Sequence, residues 1–372
     1  MENIYNEKQY NKNEKQYNKI KLRLSIIDLV LDLLLVTVLA FSGLSIFIAD
    51  LASITGNIYG DFLVFIAIIG VCFSIIGLPF DFYGSYIIEH RFGLSNQTIL
   101  KWIWERLKST LIGLLIGVPI AIVFYFLILR MGDNWWIYFS GFIFIISVFL
   151  ARIAPVVIFP LFYKFTKLED DEISSRLEKI LSEVKIDIKG IFSFNMSKDT
   201  KKANAGFTGL GKSKRIILSD TLLEKFTPEE ISVVFAHEAG HYKHRHIVKN
   251  ILFSTVVIFV SFYICSLLHS FTIKSMGFEH IYELAALPAL VFYLTLAGLI
   301  MMPVTNYISR KFEFKADEFA IRITSDIDAF ISTMEKLAEI NLADKEPHPV
   351  VEFFLYSHPS IKRRIEFAKT FR

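Results

Sequence analysis

Two histidines with a glutamate between them form the part of this 372-residue chain best suited to chemistry. Residues 237–241 read His-Glu-Ala-Gly-His. Histidines four residues apart project from one face of a helix, so the imidazoles of His237 and His241 can bind one metal ion. The carboxylate of Glu238 stands beside the first histidine, where it can activate a water molecule at that metal. The pentapeptide therefore predicts a hydrolytic zinc site.

A capped helix is expected to carry the pentapeptide. Thr227 and Glu230 have the T-x-x-E spacing of a capping box, and Pro228 stands at the first helical position, where proline is favoured. An apolar segment of membrane-spanning length follows the pentapeptide. The helix would therefore hold the zinc site at the edge of a membrane.

A catalytic zinc ion needs a third protein ligand and an open position. The strongest candidate is Glu313. Asp317 follows it by four residues, so both share a helix face, and Asp317 can accept a hydrogen bond from a ligand imidazole. By spacing alone, however, a solvated glutamate and aspartate among lysines is the more common arrangement.

Long apolar segments account for a composition that is 53% hydrophobic and 15% aromatic. A helix needs about 20 apolar residues to cross a bilayer. The expected fold class is predominantly α, a multi-spanning membrane helical bundle with a cytosolic zincin-like metallopeptidase domain that contains a small β-sheet. Six segments reach spanning length: 24–48, 62–83, 109–130, 135–162, 250–273 and 284–307.

The distribution of lysine and arginine predicts the orientation of these spans. Basic residues are concentrated in the two termini, in loop 84–107 and in segment 164–249, whereas loop 49–61 has none. Basic loops stay in the cytosol, so both termini and the active site are expected there. The membrane would be the cell membrane in a bacterium and the endoplasmic reticulum in a eukaryote. The net charge of +3 gives no attraction to nucleic acid, so the expected partner surface is a lipid bilayer.

Five regions follow from these boundaries. The first is a polar tail at 1–23, which is expected to be disordered because it repeats NEKQYNK. Four spans at 24–163, with the cytosolic loop 84–107, precede a peptidase segment at 164–249, which has strand-like runs at 184–194 and 215–218. Two further spans at 250–307 lead to C-terminal helices at 308–372, which carry the candidate third ligand and complete the peptidase domain.

Six segments, in order along the chain, resemble the type I CAAX prenyl endopeptidases, integral-membrane zinc metallopeptidases of the gluzincin type. Among them are the Asn-Ala-Gly-Phe run that starts at residue 204, the His-Glu-Ala-Gly-His-Tyr-Lys run and the His-Pro pair at residue 358. Taken together they are specific to this family. The six segments are 79–98, 153–168, 204–223, 237–246, 309–317 and 358–364.

The resemblance implies a complete metal site. Zn²⁺ would bind His237, His241 and Glu313, and Glu238 would act as the general base. Asp317 would accept a hydrogen bond from a ligand imidazole. The resemblance thereby favours a buried role for Glu313 and Asp317 over the solvated arrangement that spacing alone suggests.

The resemblance also implies a substrate-binding cleft. Asn204 and Ala205 would begin an edge strand that holds the substrate backbone extended. His358 and Arg364 would line the cleft, with His358 stabilising the oxyanion. From the residues alone, His358 is better explained as a helix-start residue before Pro359.

The predicted function is zinc-dependent endopeptidase activity at the cytosolic membrane face, on peptide or protein substrates that include prenylated ones. Two alternatives remain open: a broad-specificity quality-control metalloprotease and a non-catalytic zinc-binding scaffold. The chain also departs from the family. Gly206 replaces the usual aromatic residue after Asn-Ala, and the longer members have a further span before the one that starts near Leu24.

Overall fold

Helices form most of the fold. The computed structural model describes residues 2–168, 171–185 and 188–372. Residues 169–170 of the expected peptidase segment, and residues 186–187 of the expected strand-like run, lie outside the described residues. The helices are α1 (Glu2–Phe41), α2 (Leu44–Ala52), α3 (Ile58–Phe82), α4 (Ile88–Arg91), α5 (Ile99–Met131), α6 (Trp135–Ile153), α7 (Asp171–Val184), α8 (Asp220–Lys225), α9 (Pro228–Lys243), α10 (His246–Ser275), α11 (Leu287–Thr324), α12 (Ile327–Asn341), α13 (Pro349–Leu355) and α14 (Ile361–Lys369).

The membrane part contains five segments that are long and apolar enough to cross a bilayer. The third of them reverses direction at Gly132–Asn134. The rings of Phe124 and Phe139 are 5.2 Å apart, whereas about 15 residues of continuous helix would separate them by roughly 22 Å. This segment therefore contributes two antiparallel helices, α5 and α6. The six apolar segments are largely helical, although segment 24–48 is divided between α1 and α2. The five segments are Asn13–Phe41, Ile58–Arg91, Ile99–Leu161, His246–Ser275 and Leu284–Thr324.

The connections at one end of the bundle contain neither lysine nor arginine. They are residues 42–57, 132–134 and 276–286. These connections lie together, since Leu284 packs against the cluster that includes Ile48 of α2 and Tyr282 packs in the cluster around Trp135. The basic segments meet at the opposite end, where the peptidase segment lies.

Helix α1 runs without a break from the repeat into the first span, in place of the disordered tail expected for residues 1–23. Tyr17, in the second repeat copy, is buried and donates a 2.7 Å hydrogen bond to Glu89. Lys202 Nζ lies 2.8 Å from the same carboxylate. These partners are remote in sequence, so the polar composition of the repeat does not reveal them.

A four-stranded mixed sheet lies in the peptidase segment. The strands are β1 (Phe165–Lys167), β2 (Ile191–Phe194), β3 (Ala205–Thr208) and β4 (Arg215–Ser219). The strand order is β1-β2-β4-β3, with β4 parallel to β2 and antiparallel to β3, so β3 is at an edge. The expected run at 184–194 contains β2, although residue 184 ends helix α7, and the expected run at 215–218 forms most of β4.

Packing and capping together fix the position of α9. The predicted capping box is confirmed: Thr227 Oγ1 accepts from the Glu230 N–H, and the Glu230 carboxylate accepts from the Thr227 N–H. Ser332 and Lys336 of α12 donate to the same carboxylate at 2.6 and 2.9 Å. One face of α9 packs into a core beneath the sheet that includes Leu177, Ile216, Leu218, Leu222, Ile231 and Phe235.

Candidate active site

Three side chains from two helices converge on one point. His237 and His241 of α9 and Glu313 of α11 each place a ligand atom within 4.8 Å of the other two. The Nε2 atoms of the histidines are 3.1 Å apart, and they lie 3.4 and 3.3 Å from the Glu313 carboxylate oxygens. Two imidazoles and one carboxylate are the donor set of catalytic zinc sites that keep a fourth position open. These residues therefore fit a zinc-type ion.

Close packing of α9 on α11 makes this convergence possible. A Cβ atom at Gly240 would lie 3.1 Å from the Ala316 Cα atom and 3.2 Å from the Phe319 Cβ atom. Ala316 is fully buried at the same contact. A glycine facing an alanine lets the two backbones approach until Glu313 reaches the histidines.

Asp317 orients the ring of His237. The imidazole Nδ1 atom donates to Asp317 Oδ1 at 2.9 Å. Arg364 binds the same carboxylate with Nε and Nη2, at 2.9 and 2.6 Å. Because Nδ1 carries the proton, Nε2 presents its lone pair to the point of convergence. The sequence predicts this position for Asp317, whereas the family resemblance implies only a place in the cleft for Arg364.

The charges around His237 favour a cation at the site. Burial opposes charging of the imidazole, but the hydrogen bonds and charges of Asp317 and Glu313 outweigh burial and raise the pKa of His237 to about 10. Glu313 Oε2 is buried without a well-directed hydrogen bond from the described residues, although His358 Nδ1 lies 2.9 Å away. An orphaned carboxylate oxygen facing two imidazoles is what a metal ion satisfies.

Glu238 lies between the converging ligands and the edge strand. Its Oε2 atom accepts the backbone N–H of Phe207 at 2.8 Å. The start of β3 is held by Asn204, whose side-chain oxygen accepts the Ala205 N–H at 2.9 Å and whose own N–H donates to Ser219 Oγ at 3.0 Å. A peptide added to this edge would therefore pass beside the Glu238 carboxylate.

A cleft of about 570 Å³ joins these elements. His358 lines it with a side chain that is 65% exposed. Ser360, not His358, caps helix α14 through a hydrogen bond from the Arg363 N–H. The structure thus differs from the helix-start interpretation of His358. The other predicted residues that line the cleft are Asn204, Ala205, His237, Glu238, Glu313 and Arg364.

His246 lies at the site although the sequence pattern does not predict it there. Its Nδ1 atom lies 2.9 Å from His241 Nδ1, its side chain is buried, and its ring stacks on Phe312 with centroids 4.2 Å apart. On one continuous helix, residues five apart would point to different faces. Arg245, with a left-handed φ of 54°, interrupts the helix and brings His246 back to His241. The sequence feature that could have pointed to this contact is a histidine that stands at the break between two helices, close after the H-E-x-x-H motif.

The fold is a membrane helical bundle joined to a domain in which an H-E-x-x-H helix meets a glutamate from a later helix. This combination defines a membrane metalloendopeptidase. Comparison with family models supports this class. Residues 1–164 match the CAAX prenyl protease N-terminal domain, described as five membrane helices, and residues 167–372 match peptidase family M48. The chain belongs to peptidase family M48.

Curated relatives and a solved structure point the same way. The chain is 32% identical to the uncharacterized metalloprotease YhfN of Bacillus subtilis over 309 residues, 82% of this chain and 72% of that protein. It is 34% identical to the CAAX prenyl protease 1 homolog of Arabidopsis thaliana over 297 residues, 78% of this chain and 69% of that protein. The crystal structure of S. mikatae Ste24p has a TM-score of 0.85 at 26% identity and covers 97% of this chain and 89% of that one.

These findings confirm the predicted family resemblance and the predicted fold of a multi-spanning helical bundle with a small β-sheet. The chain is a multi-pass membrane protein and a metalloendopeptidase, and its family implies a metal. Peptides or proteins are its substrates.

Proposed function

We propose that this chain binds Zn²⁺ through His237, His241 and Glu313 and cleaves CAAX-type prenylated substrates at the cytosolic face of its membrane. The observation that carries the proposal is the convergence of these three donors beside Glu238 and an edge strand. Relatives named CAAX prenyl protease 1 homolog support the substrate class.

Each residue near the donors has a distinct task in the proposed reaction. The metal, when bound, supplies Lewis-acid polarisation of the scissile carbonyl. Glu238 accepts a proton from the attacking water and passes it to the leaving amine. Asp317, held by Arg364, keeps the His237 ring in one orientation. His358 donates to the oxyanion that develops on the carbonyl.

The edge strand positions the substrate. Ala205 offers backbone groups to an extended peptide, and Asn204 fixes the start of the strand. Gly206 pairs with Ile217 of β4, and a Cβ atom at this position would lie 3.8 Å from Ile217 Cγ1, so an aromatic residue here would pack beside Ile217.

The cytosolic orientation is proposed from charge. The connections at the end of the bundle far from the site contain no lysine or arginine, and the positive-inside rule places that end outside the cytosol. Segments 164–249 and 308–372 would then form one peptidase domain, with the two spans in 250–307 between them in sequence.

The direct test uses purified protein with a farnesylated C-terminal peptide and with an unfolded membrane protein. Glu238→Gln should abolish cleavage while bound zinc stays near one ion per chain, because the change removes the base and keeps the ligands. Glu313→Ala should lower bound zinc in elemental analysis.

The matched control is Glu229→Gln, the same change at an exposed position of α9. It should leave cleavage and zinc content as in the unmodified chain. Cleavage of the unfolded membrane protein alone would replace CAAX-type processing with quality control. Cleavage of neither substrate would support a scaffold, and full activity of Glu238→Gln would refute the mechanism.

A further inference from the structure

Helix α13 has an apolar face that is exposed in the described fold. Phe353 and Phe354 follow Val350 by three and four residues, so the three side chains share one side of the helix. They are 49%, 47% and 56% exposed, respectively. Glu352, on the opposite side, is buried and lies 2.7 Å from Arg363. Three large apolar side chains grouped on so short a helix indicate a contact surface.

Helix α11 fixes the position of α13 along the membrane bundle. Asn306 of α11 donates its side-chain N–H to the carbonyl of Phe354 at 2.6 Å. Arg310, one turn further along, is buried and donates to the carbonyl of Tyr356 at 2.6 Å. The apolar segment of α11 ends at residue 307. Helix α13 is therefore tied to α11 where this span leaves the bilayer.

An exposed row of side chains on α11 continues from the span to α13. The row consists of Ile300, Val304, Tyr307 and Lys311, which stand three or four residues apart on one side of the helix. The first three are large, apolar or aromatic, and exposed. Lys311 is exposed as well, and its Nζ atom lies 4.6 Å from the centre of the Tyr307 ring. A tyrosine and a lysine at the end of an apolar row are typical of a helix that emerges from a bilayer.

A cavity of about 630 Å³ joins this row to α13. Tyr307 and Phe353 both line it, so the apolar face of α13 is continuous with the exposed row of α11. Three basic residues and one acidic residue also line the cavity, which gives it a positive net charge. Such a cavity suits the phosphate groups of lipids. The charged residues are Arg310, Lys311, Glu352 and Arg363.

We propose that α13 lies in the bilayer interface beside the catalytic cleft, with its apolar face among the acyl chains of phospholipids. Three observations favour lipid as the occupant of this face. The exposed row of α11 leads to it from a span, the neighbouring cavity is positively charged, and hydrogen bonds hold α13 at the end of that span.

Helix geometry gives the depth of this contact. Asn306, which holds Phe354, precedes Lys311 by five residues, or about 8 Å along α11. With Lys311 among the lipid headgroups, Phe354 lies about 8 Å below them, and interfacial helices bury their apolar faces by about 5–10 Å. Ile300 is about 16 Å below Lys311, near the middle of a hydrocarbon core that is about 30 Å thick.

This position gives the bilayer a part in shaping the cleft. The chain leaves α13 at Leu355 and continues through Tyr356 to His358, and all three residues line the catalytic cleft. The Nδ1 atom of His358 lies 2.9 Å from Glu313 Oε2. Lipid on one side of α13 therefore supports the cleft wall that carries His358 on the other side.

Fluorescent labels on protein in phospholipid nanodiscs test the contact. Cys72, whose thiol is exposed, is first replaced by serine, whereas Cys265 is buried and stays. An environment-sensitive label is then attached to one introduced cysteine at a time. Nitroxide groups on the acyl chains and iodide in the water serve as quenchers. The variants are Phe353→Cys and Phe354→Cys on the apolar face, Ile300→Cys in the span, and Glu335→Cys as the exposed control on α12.

Labels at positions 353 and 354 should emit at shorter wavelengths than the label at position 335. They should lose most of their emission to a nitroxide near the carbonyl end of the acyl chain, because the interface lies at that depth. The label at position 300 should be quenched best by a nitroxide near the methyl end. The label at position 335 should respond to iodide alone. Gel filtration should give every variant the size of the unmodified chain, which excludes unfolding as the cause.

Two results would overturn the proposal. Iodide quenching at positions 353 and 354 as strong as at position 335 would place the apolar face of α13 in water. Labels there that neither reagent quenches would show that protein covers the face. Either result would leave the proposed function intact, since the labels record contact with lipid and not cleavage.

Discussion

Asp317 has two roles that can be measured separately: it orients the ligand His237, and it stabilises the fold. Its side chain has no exposed surface and binds both His237 Nδ1 and the buried guanidinium of Arg364. In Asp317→Ala, the arginine would remain buried without its partner. Removing one member of such a pair costs about 3–5 kcal/mol of unfolding free energy.

The same change should weaken zinc binding by an amount that can be calculated separately. Residues that orient a ligand imidazole contribute about 10–100-fold in metal affinity, which equals roughly 1.4–2.8 kcal/mol. The double variant Asp317→Ala, Arg364→Met removes both charges. Its unfolding free energy should recover most of the loss, since replacing a whole buried ion pair by apolar groups is often neutral. Its zinc affinity should stay low.

Two measurements on detergent-solubilised protein test the expected zinc affinity and the expected stability of these variants. Competition with a chelator reports zinc affinity, and unfolding monitored by intrinsic fluorescence reports stability. Unchanged zinc affinity in either variant would refute the orienting role of Asp317. A double variant as unstable as Asp317→Ala would refute the assignment of the stability loss to unpaired Arg364.

Three further predictions concern residues around the site. His246→Ala should lower zinc affinity about tenfold because His241 loses its Nδ1 partner, and His246→Gln should retain more affinity because its oxygen can accept; equal affinity in the alanine variant would contradict the contact. Gly240→Ala should lower both stability and bound zinc, because the added Cβ atom would meet the Ala316 backbone. This loss should exceed the gain of about 1 kcal/mol that alanine brings to a helix. A more stable variant with full zinc would show that α9 and α11 can move apart. Burial alone would raise the pKa of Glu230, but hydrogen bonds from α12 and from the helix start lower it. The charged carboxylate therefore stabilises the fold at neutral pH, and this contribution is lost as pH falls through the lowered pKa. Glu230→Gln should cost about 1.5 kcal/mol at pH 7, and its difference from the unmodified chain should begin to shrink as pH falls below the ordinary glutamate value of about 4.3 and disappear below the lowered pKa; a difference that stays constant as pH falls would contradict the charge effect.

Local features of the sequence predicted the start of α9 and the pair of histidines, because capping and helical spacing act within a few residues. Spacing could not decide whether Glu313 was solvated, since its contact with α9 depends on Gly240 meeting Ala316. The helical fold of the N-terminal repeat was equally inaccessible, because the partners of Tyr17 come from remote segments. Such contacts are absent from any local pattern.

Helix α11 explains why the membrane part and the site depend on each other. From Leu290, buried in the bundle, to Glu313 the helix extends about 35 Å, so a tilt of about 3° moves the carboxylate by roughly 2 Å. Metal sites tolerate only about 0.2 Å.

The helix is held at both ends. Thr272 Oγ1 and Tyr293 Oη are 2.6 Å apart at the α10 contact, and Arg310 donates to the carbonyls of Glu352 and Tyr356 at 2.9 and 2.6 Å near the site. Because α10 follows α9 directly, a shift between the two spans would move the histidines relative to Glu313. Zinc retention should therefore report on the packing of the spans as well as on the ligands themselves.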